Sequence, residues 1–155
     1  MQEVLNPLLL EAGPAYLPEA RSKAEDMLAH LPASNFWNYG NLVYAGNQLL
    51  GRIALREGKL DEARDYLHKA GQAPGSPQLN SIGPDNLLAR ELLHHGDPAD
   101  REAVLAYLSD IARFWTQPQP INPNSLQLSQ DHLKKLDQWT EEIRAGMIPD
   151  DAQWR

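Results

Sequence analysis

Apolar side chains recur every three to four positions along most of this chain, a spacing that predicts amphipathic α-helices. No segment alternates apolar and polar residues as a half-buried strand would. The sequence therefore predicts an all-α fold of six to seven helices. The predicted helices are Leu17–Leu31, Phe36–Glu57, Asp61–Ala70, Asp85–His95, Pro98–Trp115 and a last one that starts at Ser125 or Ser129 and ends near Gly146.

Proline and glycine mark the connections between these helices. Gly71–Pro84 is predicted as a long loop, Thr116–Asn124 as an extended connection and Met147–Arg155 as an irregular tail. Three glycines lie inside the second predicted helix, at Gly40, Gly46 and Gly51. Because an interior glycine costs about 1 kcal/mol of helix propensity, we expect another element to pack closely there. The spacing of Trp37, Trp115 and Trp139 predicts that these three side chains face inward.

One stretch of the chain occurs twice. LLGRIALREG, Leu49–Gly58, comes back as LLARELLHHG, Leu87–Gly96. Extended to Ala70, the first copy resembles the tetratricopeptide repeat, a helix–turn–helix unit of about 34 residues. The residues that carry the resemblance are Leu50, Gly51, Gly58, Ala63, Leu67, Ala70 and Pro74, whereas Asn47 and Ala54 replace two aromatic positions of the family.

The second copy, Leu87–Leu108, is degenerate, since Ala89 and Val104 replace Gly51 and Ala63 and its second helix aligns only after an insertion. The resemblance implies tetratricopeptide-like stacked helical hairpins, an α-α superhelix, in a single domain over 1–155. Within that domain, 1–34 would be N-terminal capping helices, 35–77 the clear repeat, 84–115 the degenerate repeat, 125–146 a C-terminal capping helix and 147–155 a tail. GSPQLNSIGP and LDQWTEEIRAGMIPD are loosely similar to small uncharacterised bacterial proteins, which implies no activity.

In such repeats the first helix of each hairpin lines a concave groove that often holds a ligand. By the family's pattern, a polar stripe on the second predicted helix would face this groove: Asn38, Asn41, Ala45, Gln48, Arg52 and Arg56. Arginine and asparagine bind carboxylates and peptide backbones well, so the predicted partner is a protein or peptide. An ordinary solvated helix face would show the same spacing. The predicted groove residues are Asn41, Gln48, Arg52, Arg56, Asn86, Arg90 and His94.

The loop Gly71–Pro84 is a second candidate site, because long ordered loops often bind ligands. Its polar side chains are Ser76, Gln78, Asn80 and Ser81. The alternative is that the loop only packs Leu79 and Ile82 beneath the repeat. Adjacent His94 and His95 point about 100° apart on a helix, so the sequence predicts no metal site and no cofactor.

Composition narrows the function classes. The chain has 155 residues, a formal net charge of −7 and no cysteine, which excludes disulfides and thiolate catalysis. No basic run is longer than Lys134-Lys135, which argues against a nucleic-acid partner. No apolar stretch approaches the ~20 residues of a membrane span. The start of the chain lacks the basic region of a secretory signal, so a cytoplasmic location is expected, although a removed signal stays open.

The sequence therefore favours a non-catalytic adaptor or regulatory module that binds a protein or peptide. One alternative is a self-assembling structural module, a homodimer formed through an exposed repeat edge. Another is an enzyme with a carboxylate/His site, for which the chain shows no nucleophile motif, glycine-rich phosphate loop or helical metal spacing.

Overall fold

The computed structural model describes residues 13–81, 83–116 and 123–150, without the side chains of Ser81 and Ser125. Regular structure in these ranges is entirely helical, and six of the helices have nine residues or more while two are shorter, which agrees with the predicted all-α fold of six to seven helices. A short 3₁₀ turn, Pro14–Tyr16, leads into the first helix. The helices are α1 Leu17–Ala29, α2 Tyr39–Arg56, α3 Leu60–Gly71, α4 Pro77–Ser81, α5 Leu87–His95, α6 Pro98–Ile111, α7 Arg113–Thr116 and α8 Pro123–Arg144.

The chain consists of two compact units, Met1–Pro74 and Gly75–Arg155. The first unit contains α1 to α3, and the second contains α4 to α8. In the first unit α1 packs on α2 and α2 packs on α3. Its buried cluster consists of Leu17, Ala20, Ala24, Leu49, Leu50 and Ile53.

Gly46 lets α1 and α2 approach closely. A Cβ added at Gly46 would lie 2.7 Å from Leu28 Cδ2 and 2.9 Å from Met27 Cε, closer than carbon atoms normally pack. The absence of a side chain at this position is therefore what admits the α1 side chains. The expected close packing on a helix glycine is found here.

The connection between α2 and α3 is a left-handed glycine turn. Gly58 has φ 76°, the Lys59 N–H donates to the Ala54 carbonyl at 2.9 Å, and the Gly58 N–H donates to the Leu55 carbonyl at 3.1 Å. These two hydrogen bonds make a Schellman motif, which satisfies carbonyls at the end of α2. The turn predicted at Gly58 is present.

Arg21 of α1 forms hydrogen bonds with carboxylates on either side of this turn. Its Nε and Nη2 donate to the two carboxylate oxygens of Glu57 at 3.1 and 3.2 Å, and its Nη1 donates to Glu62 at 3.1 Å. Lys59 Nζ lies 2.7 Å from the same Glu57 carboxylate. Hydrogen bonds from Lys59 and from Arg21 lower the pKa of Glu57. Such a half-buried, bidentate pair fixes geometry better than an exposed ion pair does.

In the second unit, α5 and α6 form a hairpin around Gly96, which has φ 88°. The N-terminus of α6 carries a capping box: the Asp97 N–H donates to the Asp100 carboxylate at 3.3 Å, and the Asp97 side chain accepts the Asp100 N–H. A capping box satisfies two N–H groups at a helix start. The largest fully buried side chains of this unit are Leu88, Leu92, Val104, Tyr107, Leu108, Ile111, Phe114 and Ile143.

Several predicted boundaries were wrong. α2 begins at Tyr39 rather than Phe36, because the chain before it turns twice: the Phe36 N–H bonds the Ala33 carbonyl, and the Tyr39 N–H bonds the Phe36 carbonyl. Trp37 consequently lies outside the helix and is exposed instead of facing inward. Trp115 and Trp139 are buried as expected.

The second unit departs from the predicted connections as well. The long loop contains the helix α4, whose start at Pro77 follows the hydroxyl of Ser76. The predicted helix Pro98–Trp115 is interrupted at Ala112. α8 starts at Pro123, so Ser125 and Ser129 lie inside it and not at its cap. Most of the predicted Thr116–Asn124 connection, residues 117–122, lies outside the described part of the chain, as does the end of the tail.

Candidate partner-binding surface

The polar stripe of α2 is retained in the structure, but its members differ in exposure. Asn41 is half-buried and donates Nδ2 to Asn38 Oδ1 at 2.7 Å. Arg52 is half-buried, and Arg56 is exposed and donates Nη1 to the Arg52 carbonyl at 3.0 Å. The stripe thus places an amide pair at the start of the helix and two guanidinium groups toward its end.

Two of the predicted groove residues are buried polar groups with tyrosine partners. Gln48 is only 7% exposed, and its Nε2 donates to the Tyr44 hydroxyl one turn earlier on α2. Asn86 is 5% exposed, and its Oδ1 accepts the Tyr107 hydroxyl at 2.7 Å. Buried amides are ordinarily satisfied in this way, so both side chains contribute to the interior of their units.

The remaining predicted groove residues lie on α5 in the second unit. Arg90 is half-buried, and His94 is exposed in the last turn of the helix. Asn41, Gln48, Arg52 and Arg56 belong to the first unit, so each set is placed within its own unit. The participation of Asn86, Arg90 and His94 in a groove stays a prediction.

The loop residues are mostly structural where they are described. Ser76 is buried and its Oγ accepts the Leu79 N–H at 3.1 Å, which caps α4. Leu79 is buried, as the packing alternative predicts, while Gln78 is exposed. Asn80 Oδ1 is buried without a hydrogen-bond partner among the protein atoms. The Ser81 side chain and Ile82 lie outside the described residues.

An exposed aromatic pair precedes α2 and was not expected from the sequence. Trp37 is 64% exposed and Phe36 47% exposed, and their ring centroids are 5.8 Å apart at an interplanar angle of 43°. We call Phe36 and Trp37 the aromatic pair. A helix extended back to Phe36 would have given Trp37 the spacing of a core position, which is why the sequence pattern did not reveal its exposure. The proline at Pro32 and the polar Ser34 and Asn35 were the available signals that the chain still turns there.

One group of side chains in the second unit carries metal-ligating atoms. His95 Nδ1 lies 2.7 Å from Asp100 Oδ2 and 3.7 Å from Asp97 Oδ2, and one donor atom from each residue lies within 4.8 Å of the others. Nitrogen and oxygen donors of this kind suit zinc and related ions. The capping box and the His95–Asp100 hydrogen bond already account for the arrangement without an ion. Helical spacing in the sequence does not reveal this group, because it spans the turn between α5 and α6.

Comparisons with protein-family models, with curated proteins and with solved structures found no match to this chain. In the described residues, none of the helices combines the length and the apolar character needed to cross a bilayer.

Proposed function

We propose that this protein is a non-catalytic module that binds another protein or a peptide at the aromatic pair and the adjoining polar stripe of α2. The exposure of Trp37 is the observation that carries the proposal. Tryptophan is among the residues that contribute most to binding energy at protein interfaces, and its large apolar surface is unfavourable in water. Phe36 enlarges the apolar surface at the same place.

The polar stripe extends this surface along α2. Asn38 follows Trp37 directly, and its hydrogen bond to Asn41 fixes the first amide group of the stripe beside the aromatic pair. An apolar anchor bordered by amides, with guanidinium groups farther along the same helix, has the composition of a binding surface. Residues that hold the unit together, such as Gly46 and Leu50, pack into its interior.

The tetratricopeptide-like character of the first unit is part of the same proposal. Three features support it: the glycine turn at Gly58, the burial of Gly51 and Ala63, and the packing of α2 on α3. Each of these features is what a helical hairpin of that kind requires. A hairpin scaffold of this type holds the polar stripe on a helix, with the aromatic pair in the turns that precede it, and such scaffolds commonly serve recognition.

Affinity capture from a lysate of the native host tests the proposal. Trp37→Ala should lose a partner that the wild type retains, because truncating a central aromatic residue commonly costs about 2 kcal/mol or more of binding energy. Tyr16→Ala is the matched control, since Tyr16 is also an exposed aromatic residue of the first unit, 45% exposed. Both variants should keep the helical circular dichroism of the wild type.

Equal capture by the wild type and Trp37→Ala would contradict the proposed surface. The wild type could instead capture no partner and have the mass of a dimer in solution. If Trp37→Ala then has the mass of a monomer, the aromatic pair binds a second copy of the chain, and the self-assembly alternative is favoured.

A further inference from the structure

We infer that the partner presents a short proline-rich segment, with its proline rings on the aromatic pair and a backbone carbonyl hydrogen-bonded to the side-chain amide of Asn38. This inference rests on the proposed function and specifies the chemistry of its partner. Three properties of the surface support it: its hydrogen-bonding groups, the charge of the segment that carries it, and the area of its two rings.

Three oxygen atoms in and beside the aromatic pair already accept hydrogen bonds. The Phe36 carbonyl accepts the Tyr39 N–H at 3.0 Å, and the Asn38 carbonyl accepts the Leu42 N–H at 3.1 Å. The side-chain oxygen of Asn38, Oδ1, accepts Nδ2 of Asn41 at 2.7 Å. Because these oxygens are engaged within the unit, the surface is poorly suited to a partner that donates hydrogen bonds, since a buried donor without an acceptor is unfavourable.

Two side-chain groups of the same surface are hydrogen-bond donors. The indole Nε1–H of Trp37 can only donate, and this residue is 64% exposed. Asn38 is half-buried. Its Oδ1 receives the Asn41 amide, so the donor group of Asn38, Nδ2, is the part of its amide that a partner can use. The surface thus combines aromatic rings with N–H donors.

A proline-rich segment has the complementary chemistry. Proline has a carbonyl acceptor and no backbone N–H, so it brings acceptors and apolar rings without a donor that would be left unsatisfied. Its polyproline II conformation has no internal hydrogen bonds, and segments of this kind dock on aromatic side chains in several recognition domains. An α-helical partner holds its carbonyls in its own backbone hydrogen bonds and would leave the Asn38 amide unused.

The charge around the aromatic pair favours a neutral segment. No Asp or Glu occurs from Met27 to Arg56, a stretch that contains the aromatic pair and the whole of α2. This stretch therefore offers no carboxylate to a basic side chain of a partner. An acidic segment is repelled by the chain as a whole, whose net charge is −7, and the arginines of α2 lie in its C-terminal part, away from the pair.

The area of the aromatic pair fits a short segment. Aromatic side chains have about 150–250 Å² of surface each, so exposed fractions of 64% for Trp37 and 47% for Phe36 correspond to roughly 250 Å² together. A standard interface between folded proteins takes about 800 Å² from each partner. A polyproline II segment is preformed and loses little conformational freedom on binding, so a small contact can hold it. The ring centroids are 5.8 Å apart, close to the ~6.2 Å that two residues of such a segment span.

Selection from a displayed library of random dodecapeptides tests the inference. The wild type should enrich peptides that contain two or more prolines within about four positions. Synthetic peptides from the selection, acetylated and amidated, should bind at least about tenfold more weakly when their prolines are replaced by alanine, which removes the rings and restores the N–H groups. High salt should leave the binding of uncharged peptides unchanged.

Two substitutions in the protein separate the ring contact from the hydrogen bond. Trp37→Ala removes the larger ring and should weaken the selected peptides at least about tenfold. Asn38→Asp keeps an oxygen that can accept from Asn41 and removes the donor, so it should weaken uncharged peptides about fivefold. Tyr16→Ala, which truncates another exposed aromatic residue of the unit, should leave binding unchanged.

Nuclear magnetic resonance locates the contact directly. On addition of a selected peptide, the indole N–H signal of Trp37 and the side-chain amide signals of Asn38 should shift. Circular dichroism of each variant shows whether the fold is retained.

Different failures have different meanings. Enriched peptides that require Trp37 but contain no proline would overturn the inference and leave the proposed function standing. Peptides indifferent to Trp37→Ala would contradict both. Proline-rich peptides that bind Asn38→Asp as well as they bind the wild type would refute the hydrogen bond assigned to Asn38. A lysate partner lost by Trp37→Ala, without any enriched peptide, would replace the short segment with a folded partner.

Discussion

Replacing Gly46 with alanine measures how tightly α1 packs on α2. The new methyl group would lie 2.7 Å from Leu28 Cδ2 and 2.8 Å from Leu28 Cγ. Cγ is close to the backbone and cannot move away by rotation of the side-chain end alone, so the helices must separate slightly. Overpacking of this kind costs about 1–3 kcal/mol, while alanine gains about 1 kcal/mol of helix propensity over glycine. We expect a net loss of about 1 kcal/mol in the free energy of unfolding.

The same substitution should reverse its sign when Leu28 is shortened. In a Leu28→Ala background the Leu28 atoms are gone, and the remaining close atom, Met27 Cε at 2.9 Å, is the end of a flexible side chain that can move away. Gly46→Ala should then stabilise by about 1 kcal/mol through helix propensity. The coupling between the two positions is then about 2 kcal/mol, within the range found for side chains in contact. Urea unfolding followed by circular dichroism gives the four free energies, and hydrogen exchange in α1 and α2 locates the effect. If Gly46→Ala stabilises the protein in both backgrounds, the close approach of α1 and α2 is wrong.

Two further predictions concern the turn after α2. Gly58→Ala should lower the free energy of unfolding in urea by about 1–2 kcal/mol, because the φ of 76° at this position is unfavourable for a residue with a Cβ. Gly58→Asn should lower it by less, since asparagine tolerates a left-handed backbone better. Equal losses of stability in the two variants would argue against the left-handed turn. Lys59 and Arg21 lower the pKa of Glu57 below its ordinary value of 4.5. The ionised carboxylate therefore stabilises the fold at pH values above 4.5, and this contribution disappears as the pH falls through the lowered pKa of the folded state. Glu57→Gln should therefore flatten the acid side of the stability–pH curve, and an unchanged slope would show that Glu57 contributes nothing.

The fold was largely predictable because its signals are local. The spacing of apolar residues predicted the helices, and Gly58 predicted the turn that joins α2 to α3. Gly46 was predictable as a close contact, since an interior glycine costs helix propensity and needs a packing reason. Helix starts were less certain because they depend on hydrogen bonds of the preceding turn. The start at Tyr39 depends on the Phe36 carbonyl and has no side-chain cap that the sequence could show.

The candidate surface was less predictable because exposure depends on such boundaries. A shift of the helix start by three residues moves Trp37 from an expected core position to the surface. The burial of Asn86 depends on Tyr107, which is 21 residues away in sequence, and no local pattern connects the two. Gln48 and Tyr44 are separated by four residues, so their pairing could have been inferred from helix geometry. Polar residues in a helical stripe are therefore weak evidence of a surface until their partners are known.

Arg56 can be removed from the polar stripe without truncating a buried side chain, and this makes the proposed function testable. At about 100° per residue, the positions from Asn41 to Arg56 in the polar stripe fall within about 80° of the helix circumference. This sector also contains the buried Gln48, and Leu49 of the cluster shared with α1 lies about 20° beyond Arg56. Arg56 itself is exposed, whereas Arg52 is half-buried. Arg56→Gln should therefore change the free energy of unfolding by no more than about 0.5 kcal/mol, as is usual for surface positions, while it weakens capture of the partner. A loss of capture that accompanies a loss of stability would mean that Arg56 supports the fold rather than a partner.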